Sequence, residues 1–187
     1  MGQLQAAQSL GQQELEDIVA STLEETRKRG VDQAEVAVSH DIGLAATVRL
    51  GVVENLEYTN DRGIGITVYC GSRKGSASTS DISRDAIREA VGKACTFANY
   101  TAEDKYAGLA DADRMCTEVP DLDLDHPWNL DATAAIELAL ACEASALGHD
   151  KRISNSEGAT AWTNRGVRAY GNTHGFFGSY VKTGHSV

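Results

Sequence analysis

Three segments of the chain repeat apolar residues every three or four positions, as a helix with one buried face does. They span residues 12–29, 83–99 and 131–147. Gly30 follows the first segment, and a glycine at that position is typical of a helix end. Ser83 and Asp131 precede the other two, where their side chains can accept a hydrogen bond from the first turn. We therefore predict three helices.

Between the first two helices the hydrophobicity alternates with period two, which indicates strands buried on one face. The connections are too short for crossover helices, so neighbouring strands should be antiparallel. We assign turns to Gly51 and to the segment Asn60–Gly63, where glycine tolerates the required backbone angles. The predicted strands are 34–40, 44–50, 52–59 and 64–70.

The rest of the chain divides into an acidic connection and a second set of strands. Residues 101–130 carry little periodicity and an excess of acidic side chains. After the third helix we predict strands at 152–156, 159–164, 167–171 and 176–183, with turns at Asn164–Gly166 and Asn172–Gly175.

The predicted fold class is α+β: a curved, mostly antiparallel sheet with flanking helices, followed by the start of a second helix-plus-strands unit. The corresponding segments are 1–100, 101–130 and 131–187. The strand pattern continues to Val187, so we expect the second unit to be incomplete. We also expect exposed strand edges to pair between copies of the chain.

Charge and cysteine usage narrow the classes of function. The net charge is −10, with 27 acidic and 17 basic residues. Nucleic acid binding relies on lysine and arginine, so direct contact with DNA or RNA is disfavoured. None of the four cysteines forms a C-x-x-C pair, which is typical of a reduced, cytoplasmic chain. No apolar run reaches the roughly 18 residues of a membrane span.

The residues that could carry chemistry do not form a recognisable site. No two of the five histidines lie within ten positions of each other, so no zinc-binding helix of the H-E-x-x-H kind is present. The run Asp121-x-Asp123-x-Asp125 begins like a calcium loop. It lacks the glycine at position six, which is His126, and the glutamate at position twelve, which is Ala132.

Two polar segments between predicted strands remain as candidates for a functional surface. Each is explained by turn chemistry alone, or by a surface on which an extended peptide adds to a sheet beside exposed backbone. The candidate residues for a peptide channel or a subunit surface are Asn155, Ser156, Glu157, Gly158, Asn172, His174 and Gly175.

Five short motifs in a fixed order resemble the N-terminal region of one protein family. They are G-I-G-I-T-V-Y at 63–69, R-K-G-S-A-S at 73–78, P-D-L-D-L-D-H-P at 120–127, K-R-I-S-N-S-E-G at 151–158 and G-N-T-H-G at 171–175. Each is weak alone, but together they resemble the PmbA-type branch of the TldD/PmbA family of bacterial peptidase-like proteins.

This resemblance implies a cytoplasmic scaffold in a heteromeric metalloprotease that processes small unfolded peptides. Zinc is expected in a TldD-type partner subunit, held by an H-E-x-x-x-H helix, and no cofactor is expected in this chain. The family also carries the label of modulator of DNA gyrase. Two alternatives remain: an interaction module without a role in proteolysis, and an autonomous hydrolase whose site forms by long-range convergence.

Overall fold

The computed structural model describes residues 10–187, which form one five-stranded sheet with three helices. All four strand pairings are antiparallel, in the order β3-β2-β1-β4-β5. The predicted α+β class is therefore confirmed. In chain order the elements are α1 (Gln12–Lys28), β1 (Gln33–Arg49), β2 (Val52–Cys70), β3 (Arg73–Thr79), α2 (Arg84–Tyr100), α3 (Ala132–Gly148), β4 (Ala159–Asn172) and β5 (Phe177–Ser186).

The helices begin and end within one residue of the predicted positions, because their caps are local. The Ser83 hydroxyl accepts a hydrogen bond from Ala86 N at 3.4 Å, and the Asp131 carboxylate accepts one from Ala134 N at 2.8 Å. Gly30 follows α1 with a φ of +71°, a conformation that side chains with a Cβ rarely adopt. These contacts satisfy donors at the helix ends that would otherwise lack partners.

The strands are longer than predicted, and two predicted hairpin turns are wrong. Residues Asn60–Gly63 lie inside β2, paired with residues 39–42 of β1. Residues Asn164–Gly166 lie inside β4 and pair with the same strand. Glycine and asparagine permit a turn but do not require one, and here the ladder to β1 supplies their backbone hydrogen bonds. The predicted strand at 152–156 is also wrong, since those residues precede β4 without a ladder.

The strands of segment 131–187 join the same sheet as those of segment 1–100. β4 pairs with β1 from Val48↔Ala159 to Glu35↔Asn172. The sheet therefore runs through both outer segments, and the division of the chain into three segments stays a prediction.

One face of the sheet, the helix face, carries two apolar clusters. α1 and α2 cover the end near Val36, Ile66 and Ala169. α3 covers the other end, where Ala135 and Ala139 pack against the sheet. The strand residues in these clusters alternate along each strand, which leaves the intervening residues on the opposite face.

Residues 101–130, the strap, carry the chain from α2 past the β4–β5 turn and along β5 to α3. Its anchors are spread along its length: Asp104 N donates to Ser72 O at 2.8 Å, and Thr183 N of β5 donates to Leu124 O at 2.9 Å. Arg165 Nη2 lies 3.0 Å from Asp125 Oδ2, and this contact lowers the pKa of the Asp125 carboxyl. No helix among residues 10–187 is both long and apolar enough to cross a membrane.

Candidate functional site

The face of the sheet opposite the helices, the open face, is the most extended candidate surface. Its central strands contribute small or polar residues at alternate positions. The positions on this face are Glu35, Ala37, Ser39, Asp41, Gly43 and Ala45 of β1, Glu57, Thr59, Asp61, Gly63, Gly65, Thr67 and Tyr69 of β2, and Trp162, Asn164, Gly166, Arg168 and Tyr170 of β4.

A carboxylate shared by two tyrosines closes one end of the open face. The Glu35 carboxylate accepts hydrogen bonds from Tyr69 Oη at 2.9 Å and from Tyr170 Oη at 2.8 Å. Burial, together with the hydrogen bond to Glu35, raises the pKa of Tyr69 to about 12. Burial also raises the pKa of Tyr170. Both phenols therefore stay protonated at neutral pH and act as donors rather than as bases.

An ion pair crosses the middle of the open face. Arg168 Nη2 lies 2.7 Å from Asp41 Oδ2, and both side chains are partly buried. Gly166 lies beside this pair, and a Cβ at that position would come within 2.5 Å of Asp41 Oδ1. The glycine thus leaves the space that the charged pair occupies.

Shallow depressions lie on both sides of the ion pair. The larger has a volume of about 850 Å³ and is lined by Ser39, Gly63, Gly65, Tyr170 and Tyr180, among others. The smaller, of about 350 Å³, lies between Gly43, Glu57, Trp162 and Lys182. A floor of glycine and small residues exposes backbone, and such a surface can accept an extended chain.

The predicted candidates Asn155–Gly158 lie in the loop before β4, at the α3 end of the sheet. Ser156 Oγ accepts from Gly158 N at 2.8 Å, and Arg49 Nε donates to Ser156 O at 3.2 Å. Gly158 has a φ of +102°, and a Cβ there would meet Val48 O at 2.4 Å. Asn155 and Glu157 are exposed.

The other candidates lie in the turn between β4 and β5. Asn172 Oδ1 accepts from His174 N at 3.0 Å and from Phe176 N at 3.2 Å, which closes the turn. His174 Nδ1 lies 2.7 Å from Ala110 O of the strap. Gly175 has a φ of +96° and nothing near its Cβ position. These contacts fix the turn and the strap to each other.

The structure does not bring the two predicted groups together. They stand at opposite ends of β4, a strand of 14 residues, which corresponds to a separation of about 40 Å. The assignment of either group to a peptide channel or a subunit surface stays a prediction. Sequence reasoning missed the open face itself, although the alternating small residues Gly63, Gly65, Ala37 and Ser39 signal it.

A buried carboxylate near the first group was also missed. Glu143 of α3 is 3% exposed and accepts hydrogen bonds from Leu50 N and Gly51 N, each at 2.8 Å. The Gly51 contact is the largest of the causes that lower the pKa of Glu143. Leu50 and Gly51 form the β1–β2 turn with positive φ values, so Glu143 fastens α3 to that turn.

Among residues 10–187, no group of three or more histidine, cysteine, aspartate or glutamate side chains is arranged so that it could hold a metal ion. In the calcium-like run, Asp121 Oδ1 instead accepts a hydrogen bond from Asp123 N at 2.9 Å. That run forms part of the strap beside β5.

Two models of one protein family match this chain. The model described as PmbA/TldA metallopeptidase domain 1 matches residues 34–98, and the model of the PmbA/TldA metallopeptidase central domain matches residues 125–187. The first contains β1, β2, β3 and most of α2, and the second contains α3, β4 and β5.

Curated relatives agree with this family. The chain is 46% identical over 176 residues to the metalloprotease PmbA homolog of Haemophilus influenzae, covering 94% of this chain and 39% of the relative. It is 44% identical over 173 residues to the metalloprotease PmbA of Escherichia coli O157:H7, covering 92% of this chain and 38% of the relative. The chain thus spans less than half the length of these relatives.

Solved structures share the fold. A putative modulator of DNA gyrase from Bacteroides thetaiotaomicron superposes with a TM-score of 0.81 at 24% identity, over 89% of this chain and 38% of that one. TldE from Thermococcus kodakarensis superposes with a TM-score of 0.75 at 16% identity, over 89% of this chain and 37% of that one.

Proposed function

The chain belongs to the PmbA/TldD metallopeptidase family, and from that premise we propose that it is the N-terminal scaffold of a subunit that binds no metal. This subunit pairs with a TldD-type subunit that holds zinc. Together the two process small unfolded peptides in the cytoplasm. The chain's own task is to enclose and orient the peptide, and it carries out no bond cleavage.

The observation that supports this proposal best is the open face. Sheets that carry helices on one face often have water on the other. Here that second face has a floor of glycine, alanine and serine, with depressions on both sides of one central ion pair. Gly65 has no heavy atom within 4 Å of its Cβ position, so the floor is accessible there. An extended peptide can lie along such a surface and form hydrogen bonds to the backbone exposed beside the glycines.

The donors on the open face suit peptide backbone. Arg168 and Lys182 supply cationic donors, and Ser39 and Thr67 supply hydroxyl groups. None of these groups is activated as a nucleophile by a neighbouring base in the described residues, which fits a role in binding rather than in cleavage. The predicted segments Asn155–Gly158 and Asn172–Gly175 flank this face at the two ends of β4 and are proposed as its boundaries.

The test is cleavage of a fluorogenic unstructured peptide by the TldD-type subunit, with and without this chain. We expect faster cleavage when the chain is present. The variant Gly65→Phe fills the larger depression and should reduce cleavage by raising KM, with the rate at saturating peptide less affected. Lys93→Phe, on the exposed surface of α2, serves as the control.

The outcomes separate this proposal from its alternatives. Identical cleavage with and without the chain would favour the alternative in which the chain is an interaction module without a role in proteolysis. Cleavage by the chain alone, sensitive to a chelator, would contradict the non-metal assignment. If Gly65→Phe and Lys93→Phe had equal effects on cleavage, the proposed role of the open face in peptide binding would be wrong, but the assignment of the chain to a subunit that binds no metal would be unaffected.

A further inference from the structure

β2 extends far beyond its outer neighbour and leaves one strand position of the sheet vacant. The strand has 19 residues, and β3 pairs with seven of them, Ile64–Cys70. Of the remaining twelve, residues 52–63, all but Glu54 pair with β1 on their inner side, and Glu54 lies at a register shift in that pairing. No strand among residues 10–187 pairs with their outer side. This outer edge of β2 is about 40 Å long and lies in line with β3.

The two faces of this outer edge differ in chemistry. On the helix face, Leu56 and Tyr58 lie opposite Ala46 and Leu44 of β1, and they are 41% and 59% exposed. On the open face, Glu57 and Asp61 are exposed and have no basic residue opposite them, because Ala45 and Asp41 are their partners in β1. Apolar and acidic side chains therefore alternate over Leu56–Tyr58, and Asp61 adds a second carboxylate on the open face, next to Arg62.

Charge argues against a second copy of the chain as the occupant. If two copies of this edge paired antiparallel with the symmetry axis at Glu57, the Glu57 carboxylate of one copy would lie directly opposite Glu57 of the other copy. With the axis at Thr59, Glu57 of one copy would lie opposite Asp61 of the other. With the axis at Tyr58, the same two residues would be diagonal neighbours on one face. Like charges at directly opposite positions are destabilising, and diagonal neighbours remain within reach of long side chains.

We propose that the outer edge of β2 binds an extended strand of a partner whose residues alternate between basic and apolar. Its lysine or arginine side chains face Glu57 and Asp61, and its apolar side chains cover Leu56 and Tyr58. Backbone hydrogen bonds to the unpaired edge supply affinity, and the alternation sets the register. The outer edge borders the open face and shares Glu57 with its smaller depression, but the contact proposed here runs along the backbone of β2 and not across the sheet.

The probe is a ten-residue peptide in which lysine alternates with valine, compared with the same peptide carrying glutamate for lysine. We expect the lysine peptide to bind about tenfold more tightly, and the binding to weaken as salt is raised. Hydrogen exchange should slow at residues 52–63 when the lysine peptide is bound, and remain unchanged at the outer edge of β3.

Charge reversal provides the matched test. The double variant Glu57→Lys/Asp61→Lys should reverse the preference between the two peptides, whereas Glu118→Lys, on the strap, should leave it unchanged. Equal binding of both peptides, or slowed exchange confined to other strands, would overturn the proposal. It would also be overturned if residues 52–63 were already protected in a dimer of the chain without peptide.

Discussion

The packing of α2 on β3 depends on a single hydrogen atom at Gly75. A Cβ built at this position would stand 2.0 Å from Ala94 O and 2.4 Å from Ala98 N. Both obstacles are backbone atoms of α2, so no side chain can rotate away. The variant Gly75→Ala therefore requires the helix to retreat by more than an ångström before ordinary contact is restored.

The expected cost follows from what α2 buries. Its buried residues include Ile87, Val91, Ala94 and Ala98, all in the larger apolar cluster, so a retreat opens that cluster along its length. Overpacking of a well-filled core costs about 1–3 kcal/mol, and a backbone obstacle places Gly75→Ala at the upper end of that range. In a chain of this size the melting temperature should fall by roughly 4–12 °C.

Gly65→Ala is the matched control for this variant. Gly65 also lies in a strand without a positive φ, but nothing lies within 4 Å of its Cβ position. An alanine there should leave stability unchanged or raise it by about 0.4–1 kcal/mol, because it restricts the unfolded chain. Urea unfolding of the two variants measures the difference. Equal stability of Gly75→Ala and Gly65→Ala would refute the close packing of α2 on β3.

Three further predictions concern other contacts. Glu143→Gln should lower the free energy of unfolding at pH 7. The pKa of Glu143 is depressed in the folded chain, so the stability that its carboxylate contributes is present above the ordinary pKa of a glutamate and is lost as the pH falls through the depressed value. The free energies of unfolding of the two proteins, measured in urea, should therefore converge in acid. Burial raises the pKa of the Cys70 and Cys95 thiols, so a thiol reagent at pH 8 should label the exposed Cys116 and Cys142 first. Equal labelling rates at all four cysteines would be inconsistent with the fold. Tyr69→Phe should remove a phenol that titrates near pH 12 from the ultraviolet absorbance curve, whereas a loss near pH 10 would contradict its burial beside Glu35.

The helices could be predicted from sequence because their determinants lie within a few residues of each other. The Ser83 cap and the Gly30 stop act within one turn, so spacing alone reveals them. The strand boundaries depend on a partner that is distant in the chain. Asn60–Gly63 looks like a hairpin until β1 is known to be 17 residues long and to pair through it.

The candidate site was harder to predict for the same reason. Asn155–Gly158 and Asn172–Gly175 stand out in the sequence because glycine and asparagine are concentrated there, and the positive φ values of Gly158 and Gly175 explain that composition. The open face is assembled from three strands, of which β1 and β4 are separated by more than a hundred residues in sequence. Its signal is a weak alternation of small residues, which becomes visible only when the register between the strands is known.

Photo-crosslinking tests the central claim, that the open face contacts unfolded peptide, most directly. A photoreactive amino acid is placed at Thr67 on the open face or at Lys93 on α2, and the chain is mixed with a TldD-type subunit and an unstructured peptide. We expect crosslinks to the peptide from position 67 and none from position 93. Equal crosslinking at both positions, or crosslinking at position 93 alone, would contradict it.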